Sequence, residues 1–411
     1  MKIEFRTYNP DRDRDAVLRI YREVGWCSKP EHAEAFSGLV ASGRTLVADL
    51  DGTAECMVTT DPGTIRYGRQ DLPLLGVTGV TTSRVARKRQ LAGRLTARVL
   101  ADEANAGRLI AMLGIFEQGY YNQLGFGNGG YEHSCTFDPS TLSVSVKPRV
   151  PIRLNLSDWE QMHVNRLQRL RRHGACNIEN PYLTRADMCW GENGFGLGYA
   201  DSSGHLTHHM WCTTEELEHG PYTVFWMAYE SKEQLLELLG LLRSFEDQVR
   251  SIRMQEPPGL QLQDLLRKPF RSRQITHRST HENRMTATAY WQLRILDLPG
   301  TLAMTSLDAP SVRFNLNLSD PIEAYLDENS PWKGIAGDYV VEAGPESHAA
   351  PGRDSSLPTL TASVNAFSRM WLGVRPASIL SWTDELDGPN ELLAQLDQTF
   401  CLPPPSPDWE F

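Results

Sequence analysis

Residues 74–104 decide the fold, and they read LLGVTGVTTSRVARKRQLAGRLTARVLADEA. The first nine are mostly apolar or β-branched and predict a strand that ends near Thr82. The later residues predict a helix over 85–104, because apolar side chains recur there at helical spacing. The buried stripe of this helix consists of Leu91, Leu95 and Val99. A strand that leads through a short turn into a helix is a building unit of a mixed α/β fold.

The turn between this strand and this helix is strongly basic. It contains Arg84, Arg87, Lys88 and Arg89. Backbone N–H groups at the start of a helix point at whatever lies beyond that end, and the helix dipole favours anions there. Together these features indicate a pyrophosphate site. The residues alone leave open a second interpretation, a basic helix start that only contacts solvent.

The chain has 411 residues, which predicts two or three domains. Two prolines in KPRVPIR, residues 147–153, indicate a first boundary, and a new unit begins with AYWQLRILDLPGTL. We therefore predict units over 1–148, 149–288 and 289–411. The predicted fold class is α/β (α+β), with two mixed-sheet units followed by an α+β unit. Further helices are predicted at Asn9-Pro10, at 167–172 and at 233–250.

Composition narrows the function classes. The 51 acidic and 41 basic residues give a formal net charge of -10, which argues against a general nucleic-acid or anionic-membrane binder and suits cationic partners. No apolar run approaches the roughly 20 residues of a membrane span, and the charged N-terminus is unlike a secretory signal, so we expect a cytoplasmic protein. The seven cysteines form no C-x-x-C pair and are expected to be reduced.

The segment HLTHHMWC, residues 205–212, is the nearest thing to a metal cluster. Its spacing matches no zinc motif, and alternate residues of a strand point to opposite faces. We prefer a solvated strand edge or loop and expect no metal.

The C-terminal segment CLPPPSPDWEF is rich in proline, which favours a stiff extended conformation. A frayed terminus is the usual alternative for the last residues of a chain. The aromatic rings of Trp409 and Phe411 favour burial instead, so we predict that this segment carries the C-terminus to a defined place.

Residues 115–133, IFEQGYYNQLGFGNGGYEH, place Tyr121 before the turn Gly125-Phe126-Gly127. The strand, the basic turn with its helix, and this element occur in the order found in acetyl-CoA-dependent N-acetyltransferases of the GNAT superfamily, which the chain therefore resembles. The length, a second GNAT-like unit without a cofactor signature, a sterol-carrier-like third unit and a terminal phenylalanine resemble the Eis (enhanced intracellular survival) family. Motif-level similarity is confined to the basic turn, the Tyr121 segment and the terminus.

The resemblance implies a direct N-acetyltransferase that uses acetyl-CoA on primary amines of a cationic acceptor, aminoglycoside-like or polyamine, or on lysine side chains. It also implies a homohexamer. The implied general acid is Tyr121 and the implied general base is the α-carboxylate of Phe411. The implied pantetheine-binding strand residues are Val80, Thr81 and Thr82. The implied pyrophosphate and acetyl contacts are Arg87, Lys88, Arg89, Gln90, Leu91, Ala92, Gly93, Phe116 and Glu117. The predicted acceptor-binding residues are Trp26, Asp408 and Glu410.

Elementary chemistry agrees with these roles. An amine of pKa near 10 is mostly protonated at pH 7, so a carboxylate that accepts its proton and attracts the cation helps twice. A tyrosine hydroxyl can donate to the leaving thiolate. Backbone donors aimed at the developing oxyanion can each contribute on the order of 3 kcal/mol.

Two positions depart from the family pattern. Gln90 stands where the signature has its first glycine, and Phe116 stands where a serine is usual. Glutamine presents no barrier to helical backbone angles, so we expect the backbone donors of the cradle to survive. The alternative function is a lapsed or non-enzymatic homologue that holds an apolar ligand in its third unit.

Overall fold

The computed structural model describes residues 2–117, 119–267 and 279–411. Its described residues form two compact units, the first within 1–130, 172–180 and 289–411, the second within 131–171 and 181–288. Residues 289–411 therefore share a unit with the N-terminal residues. The division into three domains remains a prediction.

The strands of the described residues lie between Ile3 and Asp387. They are β1 (Ile3–Thr7), β2 (Arg44–Leu50), β3 (Thr53–Tyr67), β4 (Gln70–Thr82), β5 (Ile110–Gly114), β6 (Gly127–Asn128), β7 (Tyr131–Phe137), β8 (Ile152–Leu154), β9 (Cys176–Ile178), β10 (Phe195–Ala200), β11 (Leu206–Thr213), β12 (Tyr222–Ala228), β13 (Ile252–Gln255), β14 (Arg284–Ala289), β15 (Trp291–Ile295), β16 (Val312–Ser319), β17 (Gly337–Ala343), β18 (His348–Pro351), β19 (Thr359–Ser363) and β20 (Leu386–Asp387).

The helices are distributed among these strands, as expected for the predicted fold class. They are α1 (Pro10–Glu23), α2 (Pro30–Ser42), α3 (Leu91–Asn105), α4 (Trp159–Gln168), α5 (Pro181–Met188), α6 (Lys232–Arg243), α7 (Leu298–Ala303), α8 (Val364–Trp371), α9 (Ala377–Thr383) and α10 (Asn390–Thr399). None of the helices in the described ranges combines the length and the apolarity that a membrane span requires.

The first unit contains two sheets. The larger has the strand order β1-β2-β3-β4-β5-β15-β6, with β9 paired to β3, and only its β4–β5 pair is parallel. The smaller has the order β18-β17-β16-β19-β20. The buried face of α3 packs on the larger sheet through Leu91, Leu95 and Val99, which confirms the predicted stripe.

The second unit contains one sheet, of order β14-β7-β13-β12-β11-β10-β8. The leucine-rich face of α6 is buried in the core of this unit. This helix begins after Ser231, whose side chain accepts a hydrogen bond from the N–H of Gln234 and so caps it. It ends at Arg243 rather than at residue 250. The helix predicted over 167–172 is wrong, because α4 ends at Gln168.

Two further predictions concern helix starts. Asn9 caps α1 by accepting from the N–H of Asp11, with Pro10 in the first turn, as predicted. The start of α3 at residue 85 is wrong, because the helix begins only at Leu91. Lys88 and Gln90 have left-handed backbone angles, which a right-handed helix cannot contain.

Candidate functional site

The parallel strands β4 and β5 separate part-way along their length. Residues Leu74–Val77 of β4 pair with Ile110–Leu113 of β5, whereas β4 continues to Thr82 and pairs there with β3. Beyond Val77, the edge of β4 that faces β5 has no partner strand among the described residues. A fork therefore opens between the two strands, and along it the backbone edge of β4 lacks a strand partner among the described residues; this edge includes the predicted Val80, Thr81 and Thr82.

The basic turn lies between the end of β4 and the start of α3. Arg87, Lys88, Arg89 and Gln90 are all exposed. Two of them are left-handed, Lys88 with φ 60° and Gln90 with φ 59°. The expectation that Gln90 adopts helical angles is therefore wrong. A side chain with a Cβ costs roughly 1 kcal/mol in this conformation, which glycine adopts freely.

The first turn of α3 offers mainly its backbone to a ligand. The side chain of Leu91 is buried in the core, and Ala92 packs at its margin. At Gly93, a Cβ would lie 3.1 Å from a ring carbon of Tyr325, so the helix approaches that ring closely. The N–H groups at a helix start lack partners within the helix, so they can bind phosphate oxygens beside the exposed basic side chains.

Tyr121 begins a short 3-10 helix over Tyr121–Leu124 and is buried in the same core cluster as α3 and β4. Its ring meets that of Tyr120 edge-on at a centroid distance of 5.0 Å. Burial raises the pKa of Tyr121 well above its ordinary value of 10.0, and raises that of Tyr120 to about 12. Tyr121 therefore stays protonated at neutral pH and is able to donate a hydrogen bond.

The C-terminal segment leads to the fork. The N–H of Cys176 donates to Pro407 at 2.8 Å, and Trp409 is only 4% exposed, so this segment is held rather than frayed, as predicted. The N–H of Phe411 donates to the hydroxyl of Tyr290 at 3.0 Å. A Cβ at Gly114, the last residue of β5, would lie 3.3 Å from a backbone oxygen of Phe411.

The Phe411 ring lies on the β4 side of the same fork. A Cβ at Gly76 of β4 would be 3.5 Å from a ring carbon of Phe411. The chain terminus thus lies next to a glycine of each strand. Gly76 comes one residue before Val77, where the pairing of β4 with β5 ends, and Gly114 is the last residue of β5. Small residues at both positions leave the space that the terminus fills.

The predicted acceptor and acetyl contacts are more dispersed. The ring of Trp26 stacks on the ring of Tyr21 at a centroid distance of 5.7 Å. A Cβ at Gly79 of β4 would lie 3.4 Å from the Tyr21 hydroxyl, so the Tyr21 ring separates Trp26 from the strand. Asp408 and Glu410 are partly exposed next to the terminus. Phe116 is 85% exposed and Glu117 is also exposed, in the loop after β5.

The histidine-rich segment belongs to β11, an interior strand of the second unit's sheet. The solvated edge or loop that we preferred is therefore wrong. His208 is stacked on Tyr199 at 4.7 Å, and His209 accepts from the indole N–H of Trp226 at 3.0 Å. Burial lowers the pKa of His209 to about 3, so its ring is neutral. Within the described ranges, no group of three potential metal ligands comes together.

Sequence reasoning missed three residues of the fork. Tyr290 holds the terminus, and Asp61 and Thr78 bond to each other next to Gly79. No signal marks Tyr290, which precedes an ordinary strand. Asp61 was hidden as well, because the local sequence Asp-Pro-Gly over 61–63 is typical of a turn, whereas the structure places it inside β3.

Comparison with known proteins gives one match to a family model and several matches to solved structures. Residues 4–129 match the family described as "Acetyltransferase (GNAT) domain". A probable N-acyltransferase from Enterococcus faecalis has a TM-score of 0.80 at 17% identity, with both chains covered in full. A GCN5-related N-acetyltransferase from Anabaena variabilis has a TM-score of 0.77 at 14% identity. Eis1 from Mycobacterium abscessus has a TM-score of 0.75, also at 14% identity, and both comparisons cover 100% of each chain. No curated protein sequence matches this chain significantly.

These findings confirm the mixed α/β fold class over the full length of the chain. The domain match covers the residues that form the fork and the basic turn, and it supports acyl transfer as the general class of reaction. The fork combines an open strand edge with a chain terminus. Tyr121 is buried in the core cluster that also holds residues of β4 and α3, and the first turn of α3 has backbone N–H groups that could bind an anion.

Proposed function

We propose that this protein is an acetyl-CoA-dependent N-acyltransferase of the Eis type that acts on primary amines of a cationic acceptor. The observation that carries the proposal is the position of the Phe411 terminus against Gly76 and Gly114, where β4 and β5 separate. A thioester that lies along the open edge of β4 would meet this terminus. The α-carboxylate of Phe411 is then the base, and Tyr121, the implied acid, donates a hydrogen bond to the leaving sulfur.

The carboxylate of Phe411 serves the acceptor in two ways. It attracts the ammonium form of the amine, and it accepts the proton that the nitrogen must lose before or during attack. Asp408 and Glu410, in the same segment, add negative charge, and the net charge of -10 acts in the same direction. These charges favour a polycationic acceptor such as a polyamine or an aminoglycoside, with lysine side chains as the second choice.

Tyr121 acts on the leaving sulfur. Attack by the amine forms the C–N bond and breaks the C–S bond, and the thiolate that departs must be stabilised. A thiol has a pKa of about 8.5, below the raised pKa of Tyr121, so complete proton transfer from this tyrosine is uphill. Its best contribution is therefore a hydrogen bond to the sulfur as the bond breaks.

The remaining roles belong to backbone groups. The N–H groups of alternate residues over Val80–Thr82 point to the edge of β4 that is not paired with β3, and they suit both pantetheine binding and stabilisation of the oxyanion that develops on the thioester oxygen. The exposed basic turn and the first turn of α3 fit a pyrophosphate, because two left-handed residues shape that turn beside a helix N-terminus.

Calorimetric titration of the untagged protein with acetyl-CoA tests the proposal first. We expect saturable binding near one per chain. Release of free thiol from acetyl-CoA, measured with a polyamine, an aminoglycoside and a lysine peptide in parallel, then ranks the acceptors, with an acetylated amine as control. No binding at high micromolar acetyl-CoA would refute the proposed function.

A further inference from the structure

Asp61 in β3 is a buried carboxylate to which the proposed reaction gives no role. Its Oδ2 accepts a hydrogen bond from the hydroxyl of Thr78 at 2.6 Å, and its Oδ1 accepts from the amide of Asn180 at 2.7 Å. The side chain is fully buried, and no ion pair to it occurs among the described residues. A buried carboxylate without a cation is costly, so the two donors must compensate for lost solvation.

Thr78 occupies a special position in the sheet. Along β3 and β4, Thr60 pairs with Val77 and Thr59 pairs with Gly79, so Thr78 is the extra residue of a β-bulge. The parallel pairing of β4 with β5 ends at Val77, immediately before it. The bulge therefore coincides with the point where the fork opens. A bulge bends its strand and redirects the groups that follow.

We propose that Asp61 is a positioning residue that fixes the β4 bulge through Thr78 and thereby directs the backbone of Gly79 and Val80 into the fork. The inference rests on the proposed function, because the redirected N–H groups matter only if a thioester lies there. Asp61 itself touches neither acyl donor nor acceptor, and it acts only through the Thr78 hydroxyl.

The bond between Asp61 and Thr78 can persist in both protonation states. When Asp61 is ionised, Thr78 donates to it. When Asp61 is protonated, it can donate to Thr78, whose own hydroxyl then turns to the carbonyl of Thr59, 3.4 Å away. Burial raises the pKa of Asp61 to about 6.

Two titratable groups interact electrostatically with Asp61, Tyr21 of α1 and Glu103 of α3. The Phe411 ring lies next to Gly76, which pairs with Asp61 across the two strands. The negative charge of Glu103 raises the pKa of Asp61, although Glu103 itself forms a salt bridge with Arg44, with 3.1 Å between the guanidinium nitrogen and the carboxylate oxygen.

A matched pair of Thr78 variants tests the proposal. Thr78→Ser keeps the hydroxyl, whereas Thr78→Val keeps the shape of the side chain and removes the hydroxyl. We expect Thr78→Val to lower kcat about tenfold or more, with KM for acetyl-CoA changed far less, because oxyanion donors act in the transition state. Thr78→Ser should stay within about threefold of the parent.

The Asp61 variants show whether this residue acts through Thr78. Asp61→Asn can donate to Thr78 and accept from Asn180, so it should retain kcat, whereas Asp61→Leu should match Thr78→Val. Because both changes break one bond, the double variant Asp61→Leu/Thr78→Val should lose no more than either single variant. Additive losses would overturn the proposal, and so would equal kcat values for Thr78→Val and Thr78→Ser.

Hydrogen exchange of the free protein separates this inference from the proposed function. Amides over residues 78–82 should exchange faster in Thr78→Val than in Thr78→Ser, whether or not acetyl-CoA binds. Equal exchange in the two variants refutes the inference even if the protein is an active transferase. If the parent protein binds no acetyl-CoA but amide exchange differs between the two variants, the proposed function is refuted and the role of the Asp61–Thr78 bond in the bulge is supported.

Discussion

Lys88 and Gln90 share a backbone conformation that ordinary residues avoid. Both are left-handed and exposed in the turn before α3, at a cost of roughly 1 kcal/mol each. Neither side chain is buried in a core that would compensate for this cost. Strained residues of this kind concentrate at ligand sites, where the required backbone shape outweighs local preference. The strain therefore supports the turn as a binding element.

Gln90 offers a direct test of that interpretation. Gln90→Gly should raise the free energy of unfolding by up to about 1 kcal/mol and bind acetyl-CoA at least as tightly, because glycine adopts φ 59° without strain. Gln90→Ala keeps the strain and should resemble the parent. Calorimetry with acetyl-CoA and urea unfolding measure both effects. Weaker binding by Gln90→Gly would show instead that the glutamine side chain contacts the ligand.

The hydroxyl of Tyr121 is predicted to act on the leaving sulfur alone. Tyr121→Phe should lower kcat about 10- to 10²-fold, the effect of one lost hydrogen bond to a charged atom, while the Kd of acetyl-CoA stays within about threefold, since the ring still fills its place in the core. Tyr120→Phe is the matched control and should keep most of the turnover. Parallel loss of binding and turnover in Tyr121→Phe would indicate that the hydroxyl supports packing.

Asp61 makes stability depend on pH in a predictable direction. Its folded pKa of about 6 lies above its ordinary value of 3.8, so between these values the folded state binds more protons than the unfolded state. The stabilisation it provides is therefore complete below pH 3.8 and lost as pH rises through 6. Relative to Asp61→Asn, the parent should lose on the order of 2 kcal/mol of unfolding free energy between pH 4.5 and 7.5. Urea unfolding at both pH values measures this, and a constant difference would contradict the raised pKa.

At the scale of the element, the sequence predicted the end of β4 at Thr82 but neither its bulge nor the true start of α3. Strand and helix follow from apolar spacing, which is local. The bulge depends on Asp61, 17 residues away on the neighbouring strand, and therefore leaves no local pattern. The late start of α3 follows from the left-handed backbone angles of Lys88 and Gln90. Lysine and glutamine ordinarily favour a helix, so the sequence contains no sign of these angles.

The basic turn before α3 should bind the phosphates of acetyl-CoA through its positive charge. Replacing both Arg87 and Lys88 with alanine should raise KM for acetyl-CoA about tenfold and make KM less sensitive to salt, because exposed charges are screened. The double variant Arg153→Ala/Arg313→Ala removes the same charge from exposed positions elsewhere in the sequence. Equal effects of the two double variants would mean that only net charge matters. Initial rates at 50 and 300 mM salt provide the comparison.

At the scale of the whole chain, the C-terminal segment is the feature that joins distant parts of the sequence. The prolines and Trp409 predicted a held terminus, and the burial of that tryptophan confirms it. Its partners were not predictable, since Tyr290, Gly114 and Cys176 are far apart in sequence and carry no shared motif. The place of the terminus thus emerges only when the first unit is folded.

A terminus used as a base must be the last residue, and this gives the sharpest prediction for the molecule. Adding one glycine after Phe411 moves the carboxylate one residue, about 3.5 Å, and puts a neutral amide in its place. We expect kcat to fall at least about 100-fold while acetyl-CoA binds normally, because the pyrophosphate turn lies elsewhere. An N-terminal glycine of equal size serves as the control. Since Phe411 keeps its N–H bond to Tyr290 in both proteins, a loss confined to the C-terminal addition would belong to the carboxylate, and equal rates would remove it from the mechanism.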